Sequence, residues 1–362
     1  MPLLTLLPKL IELISNEVGG GPMPFRMILL TALALTCLVG AQSTNYACAA
    51  DKSTARIAKA LDAWASKYKV VDASVVVVRG GKVVALHSIG SYEPGMLVPV
   101  ASLSKAITGV CIAKLVQAGK IAFEDQLGSL LKEHFRIRPP RDPRASNITI
   151  GQLLTHKSGL SLDPTQGGLG QFWPYTVSST ERQVDVALSF DLTPDAGRKF
   201  SYNNVNYSAL GLVIETVTGE AYEDYCFREV LAPVGIQNAK LNPDWMVMGA
   251  AGGWLISTTD YAKFLAYFDS GSSALTLRTA KWPKADRGNG VYYGIGVVLR
   301  KAGKGYDFWH RGSWSIAKPF ASFGAYFASW YQQATVVVTF RPTVADEAMG
   351  ELDRKLYAAT SR

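Results

Sequence analysis

Apolar and polar residues follow two different periods along this chain, and the change of period divides it. Over residues 53–68, Ile57, Leu61, Trp64 and Tyr68 fall on one stripe, which predicts an amphipathic helix. Next come the β-branched run Ser74-Val-Val-Val-Val-Arg79, the pair Gly80-Gly81, and Lys82-Val-Val-Ala-Leu-His87. Two such runs around a Gly-Gly pair predict a hairpin. From about residue 100 to 285 the pattern is mostly helices and loops. Ser102 opens an apolar run with Ile107, Val110, Cys111 and Leu115 at core spacing and Gly119 at its end. Thr149 caps Ile150–His156, Asn206–Thr218 ends at Gly219, and Ser257-Thr-Thr-Asp260 forms a capping box before Tyr261–Phe268. Strands return at Val291–Leu299, Phe308–Gly312, Ser322–Trp330 and Thr335–Phe340, and a last helix covers roughly 344–359.

Strands thus lie towards both ends and helices between them. The simplest arrangement is an α+β fold. One sheet shares a core with the terminal helices, and a mainly helical lobe at about 100–285 is inserted. A ligand cleft is expected between the two lobes.

The first 49 residues read as a targeting segment. Arg26 precedes the apolar run Met27–Ala41, and Ala47-Cys48-Ala49 is a small-residue cleavage pattern. Residues 1–22 do not suit such a segment, so the start is expected at Met23 or Met27. The apolar run is too short for a comfortable membrane span. Residues 50–362 then form the functional domain, exported to the periplasm or secreted. The net charge of +8 is spread along the chain without a Lys/Arg block, so it gives no reason to expect nucleic acid as a partner. The histidines His87, His134, His156 and His310 are far apart, and no Cys/His spacing suggests a metal or other cofactor. After cleavage Cys111 and Cys226 remain; their apolar helical surroundings predict buried thiols rather than a disulfide.

The chemistry starts at Ser102 and Lys105. One helical turn separates them, so a hydroxyl and an amine share a face at the positive end of a helix. This is a way to activate a serine without histidine. The spacing alone carries little information, because Ser66–Lys69, Ser129–Lys132 and Ser315–Lys318 repeat it. Only Ser102 begins a long apolar helix.

Tyr202-Asn203-Asn204 and His310-Arg311-Gly312 are the next candidates; Tyr-x-Asn and His-x-Gly each occur once. A lysine ammonium near Tyr202 would favour its phenolate, which could take the Ser102 proton and return it to a leaving group. Asn204 offers donors and an acceptor suited to a substrate amide. A glycine on the strand after His310 lets a substrate backbone approach. The bland alternatives are an aromatic loop packing the cleft and a partly buried structural histidine. His156 reads as capping or packing, and Ala251-Gly-Gly-Trp254 as a tight turn in the cleft wall.

Ser102-Leu-Ser-Lys105, Leu153-Leu-Thr-His-Lys-Ser-Gly159, Tyr202-Asn-Asn204, Gly252-Gly253 with Ser257-Thr-Thr-Asp260, and His310-Arg-Gly312 follow one another in that order. Together they resemble the serine β-lactamase and penicillin-binding protein superfamily. The class C-like branch is most similar, with its D-alanyl-D-alanine carboxypeptidases, D-aminopeptidases and β-lactamase-fold esterases. The resemblance covers about residues 53–360. It implies an antiparallel sheet flanked by terminal helices, Ser102 as the acylated nucleophile, Lys105 and Tyr202 as the proton-handling pair, and Asn204 as a substrate contact. It also implies an oxyanion hole from the backbone N–H groups of Ser102 and Ser313. The second and third motifs depart from the Ser-Asp-Asn and Lys-Thr-Gly forms. Arg311 stands where a hydroxyl residue is usual, and strand alternation turns it away from His310 and Gly312; facing inward it would clamp a carboxylate.

The expectation is an exported serine hydrolase acting on an amide or ester: a small molecule or a peptidoglycan-type substrate, with no cofactor. A second class is a non-catalytic sensor that binds muropeptide or β-lactam. An α/β-hydrolase is a poor third, for there is no G-x-S-x-G elbow.

Overall fold

The computed structural model describes residues 53–166, 179–243, 248–269, 282–315 and 322–361. The expected targeting segment at 1–49, its cleavage site, and Lys318 lie outside them. An amphipathic helix, α1 (53–68), leads into β1 (Asp72–Arg79) and β2 (Lys82–Ile89). The turn between them is at Gly80 and Gly81, both with positive φ.

The later strands are β6 (Ala285–Asp286), β7 (Val291–Gly294), β8 (Val297–Ala302), β9 (Gly305–Trp314), β10 (Phe323–Trp330) and β11 (Ala334–Arg341). With the first hairpin they make an eight-stranded sheet in the order β2-β1-β11-β10-β9-β8-β7-β6. Neighbouring pairs are antiparallel; Val76 faces Val337 and His310 faces Phe327. This is the β-lactamase/transpeptidase-like α+β arrangement that the motifs implied. The strand expected at Val291–Leu299 is instead a hairpin, because Gly296 turns the chain at φ +83°.

Both faces of the sheet are covered, which explains why β1 is buried along almost its whole length. Val75 and Val77 pack with Ile57, Leu61 and Trp64 of α1 and with Leu352 and Leu356 of α8 (Asp346–Thr360). Val76 and Val78 join the larger core on the opposite face, together with the helical lobe.

The helices that matter for the site are α2 (Ser104–Gln117), α3 (Ile150–Leu154), α4 (Thr180–Leu188), α5 (Val205–Thr218), α6 (Tyr222–Cys226) and α7 (Thr258–Asp269). Thr149 closes a capping box with Gln152 at α3, and Gly219 stops α5 in the left-handed conformation. The lobe is not wholly helical. β3 (Leu97–Pro99), β5 (Trp254–Ser257) and β4 (Lys240–Leu241) form a small second sheet.

Cys111 and Cys226 are joined as a disulfide, which corrects the expectation of two free thiols. Both are fully buried, and the fold brings their Cα atoms to 5.6 Å although 115 residues separate them. The bond ties α2 to α6. Among the described residues no helix is long and apolar enough to cross a membrane.

Candidate active site

Ser102 lies in a 3-10 turn, Ala101–Leu103, immediately before α2. Ala101 has φ +46°, a left-handed backbone that a non-glycine residue adopts only under constraint. The constraint is visible. Val100 donates to the Trp254 carbonyl at 3.2 Å, and Leu103 N–H to the Val100 carbonyl at 3.1 Å.

The three groups expected to meet do meet. Lys105 Nζ is 3.2 Å from Ser102 Oγ, and the Tyr202 hydroxyl is 3.0 Å from the same oxygen. Lys105 is fully buried and also donates to Asn204 Oδ1 at 2.7 Å and to the Ala251 carbonyl at 2.6 Å. Those two oxygens can only accept, so they take two N–H bonds. The third direction on Nζ points at Ser102.

Burial pushes the Lys105 amine down to about 7, with the charge of Asp163 pulling the other way. Burial also pushes the Tyr202 phenol up, and the hydrogen bond to Ser102 only partly offsets this. The expected phenolate is therefore corrected. At neutral pH the phenol keeps its proton, and the amine is the group poised to lose one.

Asn204 is buried with both ends engaged, for its Nδ2 donates to Thr165 Oγ1 at 2.8 Å. Asp163 fixes this corner. It accepts from the Asn204 N–H at 2.8 Å and from the Thr165 hydroxyl at 2.6 Å. Asp163 and Thr165 carried no signal in the sequence, and the Ala251-Gly-Gly-Trp254 segment read as cleft wall gave no hint that the Ala251 carbonyl would hold the amine. Asp163 and Thr165 lie in an irregular segment, and Ala251, in the short helix Gly249–Gly252, acts through its backbone.

On the opposite wall, β8 pairs with β9 only as far as Val298 opposite Trp309. Beyond that, among the described residues, the ladder of His310–Ser313 is with β10. His310 is buried; its Nδ1–H donates to the Arg311 carbonyl at 2.6 Å, and its Nε2 accepts from the Tyr293 hydroxyl at 3.2 Å. Burial, helped by the charge of Lys105, pushes it down to about 3, so the ring is neutral. Gly312 is where the strand meets the turn carrying Ser102: a Cβ there would lie 2.5 Å from the Val100 carbonyl oxygen and 2.8 Å from Ser102 N. The close approach that this glycine permits is thus made by the chain's own turn. Arg311 points to the other face of the sheet and pairs with Asp346 in the first turn of α8.

Ser102, Tyr202, Asn204, His310 and Ser313 line a cleft with Arg287 and Tyr293, part of a cavity of about 870 Å³ that runs on to Arg311 and Asp346. Ser66, Ser129 and Ser315 are exposed, unlike the partly buried Ser102. His134 is brought beside Glu181 and Asp185, a trio not expected from the sequence; Arg138 donates to both carboxylates, so it forms an ion-pair network.

With the geometry established, comparison with known proteins gives the family. The profile of the family described as Beta-lactamase matches residues 54–356. This chain belongs to that family. Protein flp of Staphylococcus aureus is 30% identical over 179 residues, covering 46% of this chain and 34% of flp. The chain thus spans about a third of that relative's length. Among solved structures, the octameric penicillin-binding protein homologue from Pyrococcus abyssi superposes with a TM-score of 0.68 at 20% identity, over 85% of this chain and 78% of that one. A D-stereospecific amidohydrolase from Streptomyces sp. gives 0.66 at 21% identity, over 85% and 98%.

Proposed function

We propose that this protein is an exported serine hydrolase that forms an acyl-enzyme at Ser102. The reading is carried by one observation: a single serine oxygen lies within hydrogen-bond reach of a buried amine and a phenol. Ser102 Oγ attacks the carbonyl carbon of an amide or ester while neutral Lys105 Nζ takes the hydroxyl proton. The Tyr202 hydroxyl passes a proton to the departing nitrogen or oxygen as the carbon–leaving-group bond breaks, and is reprotonated from Lys105. Water then repeats the sequence on the acyl-enzyme, releasing the acid and restoring Ser102.

The N–H groups of Ser102 and Ser313 are assigned to the oxyanion of the tetrahedral intermediate; losing one such donor costs about 2.7–4 kcal/mol of barrier. The segment His310–Ser313, which among the described residues pairs with β10, offers its other edge to an extended substrate. D-amino-acid amides and peptides, including the D-Ala-D-Ala type, lead the substrate classes; simple esters follow. The absence of Lys-Thr-Gly argues against efficient β-lactam turnover. Export is supported by the Cys111–Cys226 disulfide, which suits an oxidising compartment.

The test is a hydrolysis panel with nitrocefin, a D-Ala-D-Ala peptide, a D-amino acid anilide and p-nitrophenyl butyrate, run beside covalent labelling with a phosphonate probe. Labelling and turnover should both vanish in Ser102→Ala. Labelling that survives the substitution overturns the reading. Reversible binding without a burst of product would favour the sensor instead.

A further inference from the structure

His156 occupies a backbone position that ordinarily goes to glycine. It follows the C-cap of α3 and has φ +54°. Its N–H donates to the Leu153 carbonyl at 3.2 Å, and the next N–H, of Lys157, to the Gln152 carbonyl at 2.8 Å. This pair of bonds is the left-handed helix stop in which a Cβ is strained. The helix thus stops on a histidine, three residues before Gly159. Strain kept at a buried titratable residue points to work done by its side chain.

That side chain is tied to the segment carrying Tyr202. Nδ1 accepts from the Asn203 N–H at 3.2 Å and from Asn206 Nδ2 at 2.9 Å. The His156 carbonyl accepts from the Ser201 N–H at 2.8 Å. The residues before and after Tyr202 are therefore both held by one residue. The rings of His156 and Tyr202 lie against each other, with centroids 4.3 Å apart and planes 35° apart, and Tyr293 and Phe200 close other sides. Two donors on Nδ1 place the ring proton on Nε2, which has no hydrogen-bond partner among the described residues. Burial, reinforced by the charge of Lys105, keeps the imidazole neutral, so the Nδ1 lone pair stays available.

We infer that His156 is a positioning residue for acylation: it accepts from the backbone on both sides of Tyr202 and holds the phenol against Ser102 Oγ. This rests on the serine-hydrolase reading of the same site. The two can fail separately, because loss of Ser102-dependent labelling ends that reading whatever His156 does.

The experiment compares His156→Asn and His156→Phe, with p-nitrophenyl butyrate turnover and single-turnover acylation on folded protein. Asparagine tolerates a left-handed backbone and presents Oδ1 close to the place of Nδ1. Phenylalanine keeps the ring contact and loses the acceptor. A displacement of about 1 Å at a reacting group costs about 10²-fold. His156→Phe should lower the acylation rate by about that factor with KM little changed, and His156→Asn should recover most of it. Wild-type acylation in His156→Phe, or equal slowing in both variants, overturns the inference. If neither variant folds, ¹⁵N shifts of the wild-type imidazole decide. A bare Nδ1 with a protonated Nε2 at pH 7 supports it, and a proton on Nδ1 overturns it.

Discussion

Asn204 Oδ1 sits 2.7 Å from Lys105 Nζ, so the asparagine of the second motif holds the amine of the first. A contact of this kind sets the basicity of the lysine. A carboxylate there would favour the ammonium by about 1–3 pH units. Asn204→Asp should therefore move the rising limb of the acylation pH profile to higher pH, with activity near neutrality low and recovering in alkaline buffer. An unmoved limb would show that another group titrates.

The wild-type limb follows from Lys105 itself. Its amine is pushed down to about 7, so protonated lysine dominates below that pH and cannot accept the Ser102 proton. The acylation rate should rise about tenfold per pH unit in the acidic range and level off above roughly pH 7, because only the neutral form is active. Lys105→Arg should abolish the limb and the activity together, since guanidinium keeps its proton. Stopped-flow acylation across pH checks both.

Gly312→Ala should slow acylation without abolishing folding. The added Cβ would stand 2.5 Å from the Val100 carbonyl oxygen and 2.8 Å from Ser102 N, so the nucleophile turn or β9 must shift. Overpacking of this sort costs about 1–3 kcal/mol of stability, and a displaced serine about 10²-fold in rate. Thermal melts and burst kinetics on the same sample separate the two effects. A variant with full burst rate would mean that the turn yields without moving Oγ.

The Cys111–Cys226 bond closes a span of 115 residues. A loop of about 100 residues gives about 4.7 kcal/mol by chain entropy. Cys111→Ala with Cys226→Ala should lower the denaturant midpoint accordingly and leave turnover by the folded protein close to wild type. Two free thiols in the unreduced native protein, read by mass after alkylation, would contradict the bond.

What was legible in the chain was local. The hairpin at Gly80-Gly81, the cap at Thr149 and the stop at Gly219 each depend on a few adjacent residues, and the structure has them in place. The small second sheet was not legible, because β3 and β4 are too short to show an alternation. The β7–β8 hairpin looked like one strand because its turn, Ile295-Gly296, sits inside an apolar run. Motif residues could be found by type and order, yet the protonation of Lys105 and Tyr202 could not. Charge proximity alone suggested a phenolate, and burial reversed that. The disulfide was missed for a related reason: sequence separation hides proximity. The export expectation, with two cysteines left after cleavage, was the available hint.

The first long strand finds its inner neighbour only in the last one, with Val76 opposite Val337, and the two terminal helices lock across the same seam through Trp64 Nε1 and the Ala348 carbonyl. A chain still emerging from the ribosome therefore lacks a finished platform under β9 until β11 is delivered. Catalytic competence should switch on late and abruptly during biogenesis, only once β11 and α8 have been delivered to the first hairpin.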